Sequence, residues 1–222
     1  MMLRAKRSAA IEGSTDGLAC TVRAKCPASF TFKADAPNAL RELAVHKLAN
    51  AAFAAGLTEH VVLFATARLL ATETRIFTER FDSSVSDFPA WSDAVLRSIT
   101  MQALHGYYAM RELGLEPDLR STTVLVRRDA EAPETWRLVC GTQTWSTPSC
   151  GILACVAGFG TATHARARPK PLAFLGDIAT IAARRGVTGE FVRALAGVIC
   201  RGTTDIPRIL ASFGTALRGH EL

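Results

Sequence analysis

Phe88 to Gly114 reads FPAWSDAVLRSITMQALHGYYAMRELG, and this stretch decides the fold. Trp91, Val95, Ile99, Leu104, Tyr107 or Tyr108, and Leu113 recur at the 3.6-residue spacing of one buried helical face. Asp87 can cap the helix, and Pro89 falls in its first turn, where a missing N–H costs nothing. Gly114 ends it and Pro117 prevents a restart. No other helical pattern in the chain is as long, so the rest is read outward from it as mainly helical.

On the N-terminal side, Asp35 and Pro37 open a helix with Leu40, Leu43, Ala44, Leu48, Ala51 and Ala55 on one stripe, stopped by Gly56. Thr58 then predicts the cap of a second helix carrying Val61, Val62, Phe64, Leu69, Leu70, Ile76 and Phe77. A single glycine between the two predicts an antiparallel helical pair. Further upstream, residues 18–25 and 29–33 alternate and suit a short hairpin, and residues 1–17 read as a flexible basic arm.

On the C-terminal side, residues 121–128 and 135–141 are β-rich, and the polar link Asp129–Glu134 suits a hairpin loop. Thr147 and Pro148 predict the start of a small-residue helix running to Phe159. Residues 161–171 combine proline, three positive charges and no large apolar side chain, and read as a linker. Three helices follow at about 172–185, 188–200 and 205–217, with stops at Gly186, Gly202 and Gly219. The expected fold is therefore mainly α, or α+β. It has six to seven helices, one or two short β-hairpins, and one core or two lobes, 18–160 and 172–222.

Composition bounds the function. The chain has 222 residues, 49% of them hydrophobic, which excludes intrinsic disorder for most of it. No apolar run reaches the 18 or more residues that a membrane-crossing helix needs. Residues 8–20 are too polar for a secretory signal, so the expected setting is intracellular, in the cytoplasm or a virion. The basic start leaves a mitochondrial transit peptide as an alternative. The net charge of +6 is uneven: residues 1–36 carry +3, residues 37–160 carry −2 and residues 161–222 carry +5. Basic ends of this kind suit a polyanion, because arginine binds phosphate bidentately. GC-rich coding, seen in the abundance of alanine, accounts equally for the arginine excess.

Catalytic patterns are sparse. Cys150, in Thr-Pro-Ser-Cys-Gly, falls in the first turn of the expected 148–159 helix, where the dipole would favour a thiolate. His105 and His164 are its candidate bases, with no spacing that pairs them. Cys140, Cys150, Cys155 and His164 lack the close pairs of a zinc site, so no metal and no cofactor is expected. Gly158-Phe-Gly160 lacks the further residues of a phosphate-binding loop. The remaining constellation is basic: Arg127, Arg128, Arg166, Arg168, Lys170, Arg184, Arg185, Arg193 and Arg201.

These residues favour a non-enzymatic structural protein of the nucleocapsid or coat-protein kind. It would bind single-stranded RNA without sequence preference and form homo-oligomers through its terminal arms. Two alternatives remain. One is a subunit of a larger protein or ribonucleoprotein assembly, consistent with a mean hydropathy of +0.17. The other is a small cysteine-dependent enzyme using Cys150.

Overall fold

The structure is a computed structural model that describes residues 10–11, 27–33, 36–69, 74–140, 143–165 and 171–200, with residues 210 and 213. In chain order the strands are β1 (Ala10–Ile11), β2 (Pro27–Lys33), β3 (Phe64–Leu69), β4 (Thr74–Glu79), β5 (Ser83–Ser84), β6 (Leu115–Glu116), β7 (Val124–Arg128), β8 (Thr135–Cys140), β9 (Gln143–Pro148), β10 (Ile152–Val156) and β11 (Thr163–His164). The helices are α1 (Ala36–Ala54), α2 (Asp93–Glu112), α3 (Leu172–Arg184) and α4 (Glu190–Cys200). The strands form a four-stranded antiparallel sheet in the order β1-β3-β4-β2, a three-stranded sheet β10-β7-β5, and the pairs β8-β9 and β6-β11.

The fold is thus α+β, with four described helices and several small antiparallel sheets in place of six to seven helices. Three corrections account for the difference. The expected second helix is the β3-β4 hairpin. Its apolar residues also fit a helical stripe, but Thr66, Thr74 and Thr78 are β-branched and sit between them, which favours the pleated surface. The expected helix from Pro148 to Phe159 is a turn followed by β10, whose five residues are all buried. An unbroken apolar run has no period with which to tell a buried strand from a buried helix. Finally, β7 and β8 are strands as read but do not pair together. β7 lies between β5 and β10, and β8 pairs with β9.

Four helices were legible. α1 and α3 both end in Schellman motifs. Leu57 N–H donates to Ala52 O and Gly56 N–H to Phe53 O, while Val187 N–H donates to Ala182 O and Gly186 N–H to Ala183 O. Gly56 and Gly186 supply the left-handed backbone, with φ of +70° and +72°. α2 starts later than expected. Its cap is Ser92, whose side chain accepts from Val95 N–H at 3.2 Å. The expected terminal helix over 205–217, the strand 18–25 and the arm 1–17 lie outside the described residues, apart from Leu210, Phe213 and the arm's Ala10 and Ile11, which form β1.

α2 is the centre of the molecule. From Leu96 to Met110 nearly every residue is buried, including Ser98, Thr100, Gln102 and His105. A helix buried on all sides needs partners for each polar side chain. Thr100 donates to Leu96 O at 2.7 Å, and Ser98 to Ser149 O at 3.2 Å. Gln102 reaches the edge of β10 that faces away from β7. Its Oε1 accepts from Ala154 N–H at 2.8 Å, and its Nε2 donates to Ser98 Oγ at 2.8 Å. Along the same edge Trp136 Nε1–H donates to Ile152 O (3.1 Å), Val156 N–H to His60 O (2.9 Å), and Val62 N–H to Val156 O (3.0 Å). A helix side chain, an indole and a short extended segment together complete what a neighbouring strand would supply.

α3 and α4 share this core. Phe174, Leu175, Ile178, Phe191, Val192 and Leu195 belong to the same buried cluster as Ile99, Leu104 and Leu153. Asp177 Oδ2 accepts from Ser121 N–H (3.1 Å) and Thr188 donates to Asp93 (3.1 Å), tying both helices to the body.

Candidate functional site

The basic residues singled out from the sequence separate into three groups. Arg127 is built into the interior. Its side chain is 15% exposed, its Nη1 lies 3.1 Å from Oε2 of the fully buried Glu79, and its guanidinium stacks on Phe81. Glu79 Oε1 also accepts from Leu63 N–H at 2.8 Å, so this ion pair joins β4 of one sheet to β7 of the other. Arg128, Arg184, Arg185 and Arg193 are exposed. Arg184 and Arg185 end α3 and Arg193 lies in the first turn of α4, so three cations surround the α3-α4 corner beside the exposed Glu190. Arg97 adds a fourth there, its guanidinium 5.3 Å from the Phe191 ring centroid. Arg166, Arg168, Lys170 and Arg201 lie outside the described residues.

Counting the charges by region alters their meaning. The described residues carry fifteen basic and fourteen acidic side chains. The excess sits elsewhere in the sequence. Residues 1–26 have five basic and two acidic groups, residues 166–170 have three basic and none acidic, and residues 201–222 have three and two.

Two further polar clusters lie within the body. Tyr107 Oη–H donates to Glu116 Oε1 at 2.8 Å, and Arg111 Nη1 lies 3.1 Å from Glu116 Oε2. They adjoin a cleft of about 290 Å³ that Asp118, Arg120, Thr161 and Thr163 also line. The other cluster is the pair His60 and His105, both buried and brought together from segments 45 residues apart. Their Nδ1 atoms are 3.0 Å apart, and Thr58 Oγ1 is 3.1 Å from His105 Nδ1. Nothing in the spacing of the sequence pairs these histidines, because only the tertiary fold brings them into contact.

Cys150 is not at a helix start. It occupies the tip of the β9-β10 turn with φ of +54°, followed by Gly151 at +65°. Burial raises its thiol pKa, the opposite of thiolate activation. Cys140 and Cys155 are buried, and Cys140 is raised too, by burial first and by the nearby Glu112 second. Among the described residues no three His, Cys, Asp or Glu side chains are grouped to hold a metal ion. No described helix is long and apolar enough to cross a membrane. No protein-family model matches the chain, and no curated protein matches it. The residues themselves therefore carry the functional argument.

Proposed function

We propose that the protein is a non-enzymatic structural protein that binds single-stranded RNA through sequence-tolerant phosphate contacts. One observation carries this reading: the charge is uneven along the sequence, +3 over residues 1–36, −2 over residues 37–160 and +5 over residues 161–222. The arginines at the α3-α4 corner extend the basic surface, whereas Arg127 is committed to Glu79 and contributes nothing to it. Homo-oligomers formed through the terminal segments belong to the same proposal.

The test is purification without nuclease, followed by absorbance at 260 and 280 nm and particle size at low salt and at roughly 1 M salt. Nucleic acid that co-purifies at low salt and dissociates at high salt is the expected result. Replacing Arg166, Arg168 and Lys170 by Glu should then flatten the slope of log affinity against log salt by about 2, at roughly 0.7 per lost single-strand phosphate contact. RNA binding that the triple variant leaves unchanged at moderate salt overturns the proposal.

The outer face of α1 favours a second reading, a subunit of a larger assembly. Leu40 and Leu48 are 52% and 41% exposed there, with Ala44 and Ala51 exposed between and beyond them. An apolar helix face of this kind suits a protein contact. A discrete oligomer free of nucleic acid in the same measurement would favour it.

A further inference from the structure

Another cavity opens where α2 begins. It measures about 200 Å³, and Asp93, Ala94, Arg97 and Pro148 line it. Asp93, Ala94 and Arg97 share one face of the first turns of α2, and Pro148 ends β9. The walls are almost wholly apolar, so Asp93 and Arg97 contribute carbon to them. Their charged ends are held by residues around the start of α4. Thr188 donates to Asp93 Oδ1 at 3.1 Å, and the Arg97 guanidinium carbon lies 5.3 Å from the Phe191 ring centroid.

Size and walls narrow the occupant. Small-molecule sites hold roughly 300–1,000 Å³, so this slot takes a single planar ring system and not a whole nucleotide. A proline ring, a methyl group and an arginine stem offer carbon surface without a hydrogen-bond pattern, which accepts any base and selects none. The surroundings supply the charge that a phosphate chain needs. Arg184, Arg185 and Arg193 are exposed at the α3-α4 corner, and with Arg97 they outnumber the neighbouring carboxylates of Asp93, Glu134 and Glu190. Arg97 joins the two features: its stem lines the slot, and its guanidinium sits on Phe191, two positions before Arg193.

Resting on the RNA-binding reading above, we propose that this slot seats one base of a single strand while the arginines of the α3-α4 corner hold the adjoining phosphates. The folded body then grips the strand in its own right, beside the basic segments. The two kinds of contact respond differently to salt. Phosphate contacts release counterions and weaken as salt rises. Burial of a base against carbon is not an ionic contact and does not follow that slope. The slot is therefore read from the ratio of two affinities at one salt concentration, and the phosphate contacts from the slope.

The full-length protein and two fluorescent oligonucleotides of equal length test this, one with uracil at every position and one abasic throughout. Anisotropy titrations at several salt concentrations give both affinities. The uracil strand is expected to bind about five- to tenfold more tightly, the lower end for stacking of one base, with a ratio that stays constant as salt rises. Ala94→Leu fills the slot from an exposed helix position without changing the charge. It should bring the ratio close to one and leave the affinity for the abasic strand unchanged. Equal affinity of the wild-type protein for both strands overturns the slot and leaves the RNA-binding reading standing, as does an Ala94→Leu variant that keeps the wild-type ratio. Binding of neither strand at low salt overturns both. If the variant does not fold, carbon-13 methyl spectra of the wild-type protein decide, because the Ala94 methyl should shift with the uracil strand and not with the abasic one. A methyl that shifts with neither strand, or with protein concentration alone as a second copy in the slot would cause, overturns the proposal.

Discussion

At the level of single residues, the tightest constraint is Gly106. A Cβ built there would lie 2.1 Å from His60 O and 2.9 Å from His60 C, both backbone atoms that cannot rotate away. Glycine at this position lets α2 approach the segment that closes the edge of β10. Gly106→Ala is therefore expected to destabilise the protein by about 3 kcal/mol, at the upper end of core overpacking, although alanine is the better helix former. Urea denaturation of the two proteins checks it. A stabilised variant would mean that α2 and His60 are not in contact. Nothing in the sequence announces this role: a glycine within a helical pattern reads as a weak point, and its neighbour lies 46 positions earlier. The His60-His105 contact was hidden for the same reason, whereas the stops at Gly56, Gly114 and Gly186 were visible because they act on their own backbone.

At the level of elements, Cys150 and Gly151 form a two-residue turn in which both residues have positive φ, and Ile152 N–H donates to Ser149 O at 3.1 Å. This is the geometry of a type I′ turn, for which Asn-Gly is the preferred pair. A cysteine has a Cβ and no side-chain group that eases the left-handed conformation. Cys150→Asn should raise stability by roughly 0.5–1 kcal/mol, since asparagine tolerates that region better. Thermal melting measures the change, and a fall in melting temperature would contradict the turn assignment. The same turn shows why part of the fold was misread. Thr147, Pro148 and the small residues after them carry helix-start signals. What makes β10 a strand is its pairing with β7, whose register joins Val156 to Val124. Partners so far apart leave no trace in local periodicity. β3 and β4 were misread for a different reason, because a hairpin with apolar residues on both faces also satisfies a helical stripe. α1 to α4, by contrast, announce themselves through caps, stops and spacing.

At the level of the whole molecule, the two larger sheets are joined by the Glu79-Arg127 pair beneath the surface. Glu79→Gln keeps the shape but leaves the Arg127 charge with Asp129, 3.7 Å away, as its one remaining carboxylate partner among the described residues. Removing one partner of a buried pair costs about 3–5 kcal/mol, a large share of a typical total stability. Chemical denaturation should show that loss, and an unchanged midpoint would mean the pair is solvated. The charge pattern was legible in the sequence as basic ends and a neutral middle. The commitment of Arg127 was not, since Arg127 and Arg128 are adjacent and chemically alike, and only alternation along β7 points one inward and the other out. The five described residues of that basic set therefore divide by fold position and not by spacing.

The central position of α2 also bears on how the chain is made. Its residues leave the ribosome before the surfaces that cover it, which arrive over the next ninety residues. β8 to β10 come first, and α3 and α4, which end at Cys200, come last. Until then a helix with apolar groups on every side has no complete shelter. Contacts of such large sequence separation slow folding and prolong exposure of sticky surface. A nascent chain of this design cannot complete this interior until α4 has emerged, and until then it is a natural client for chaperones.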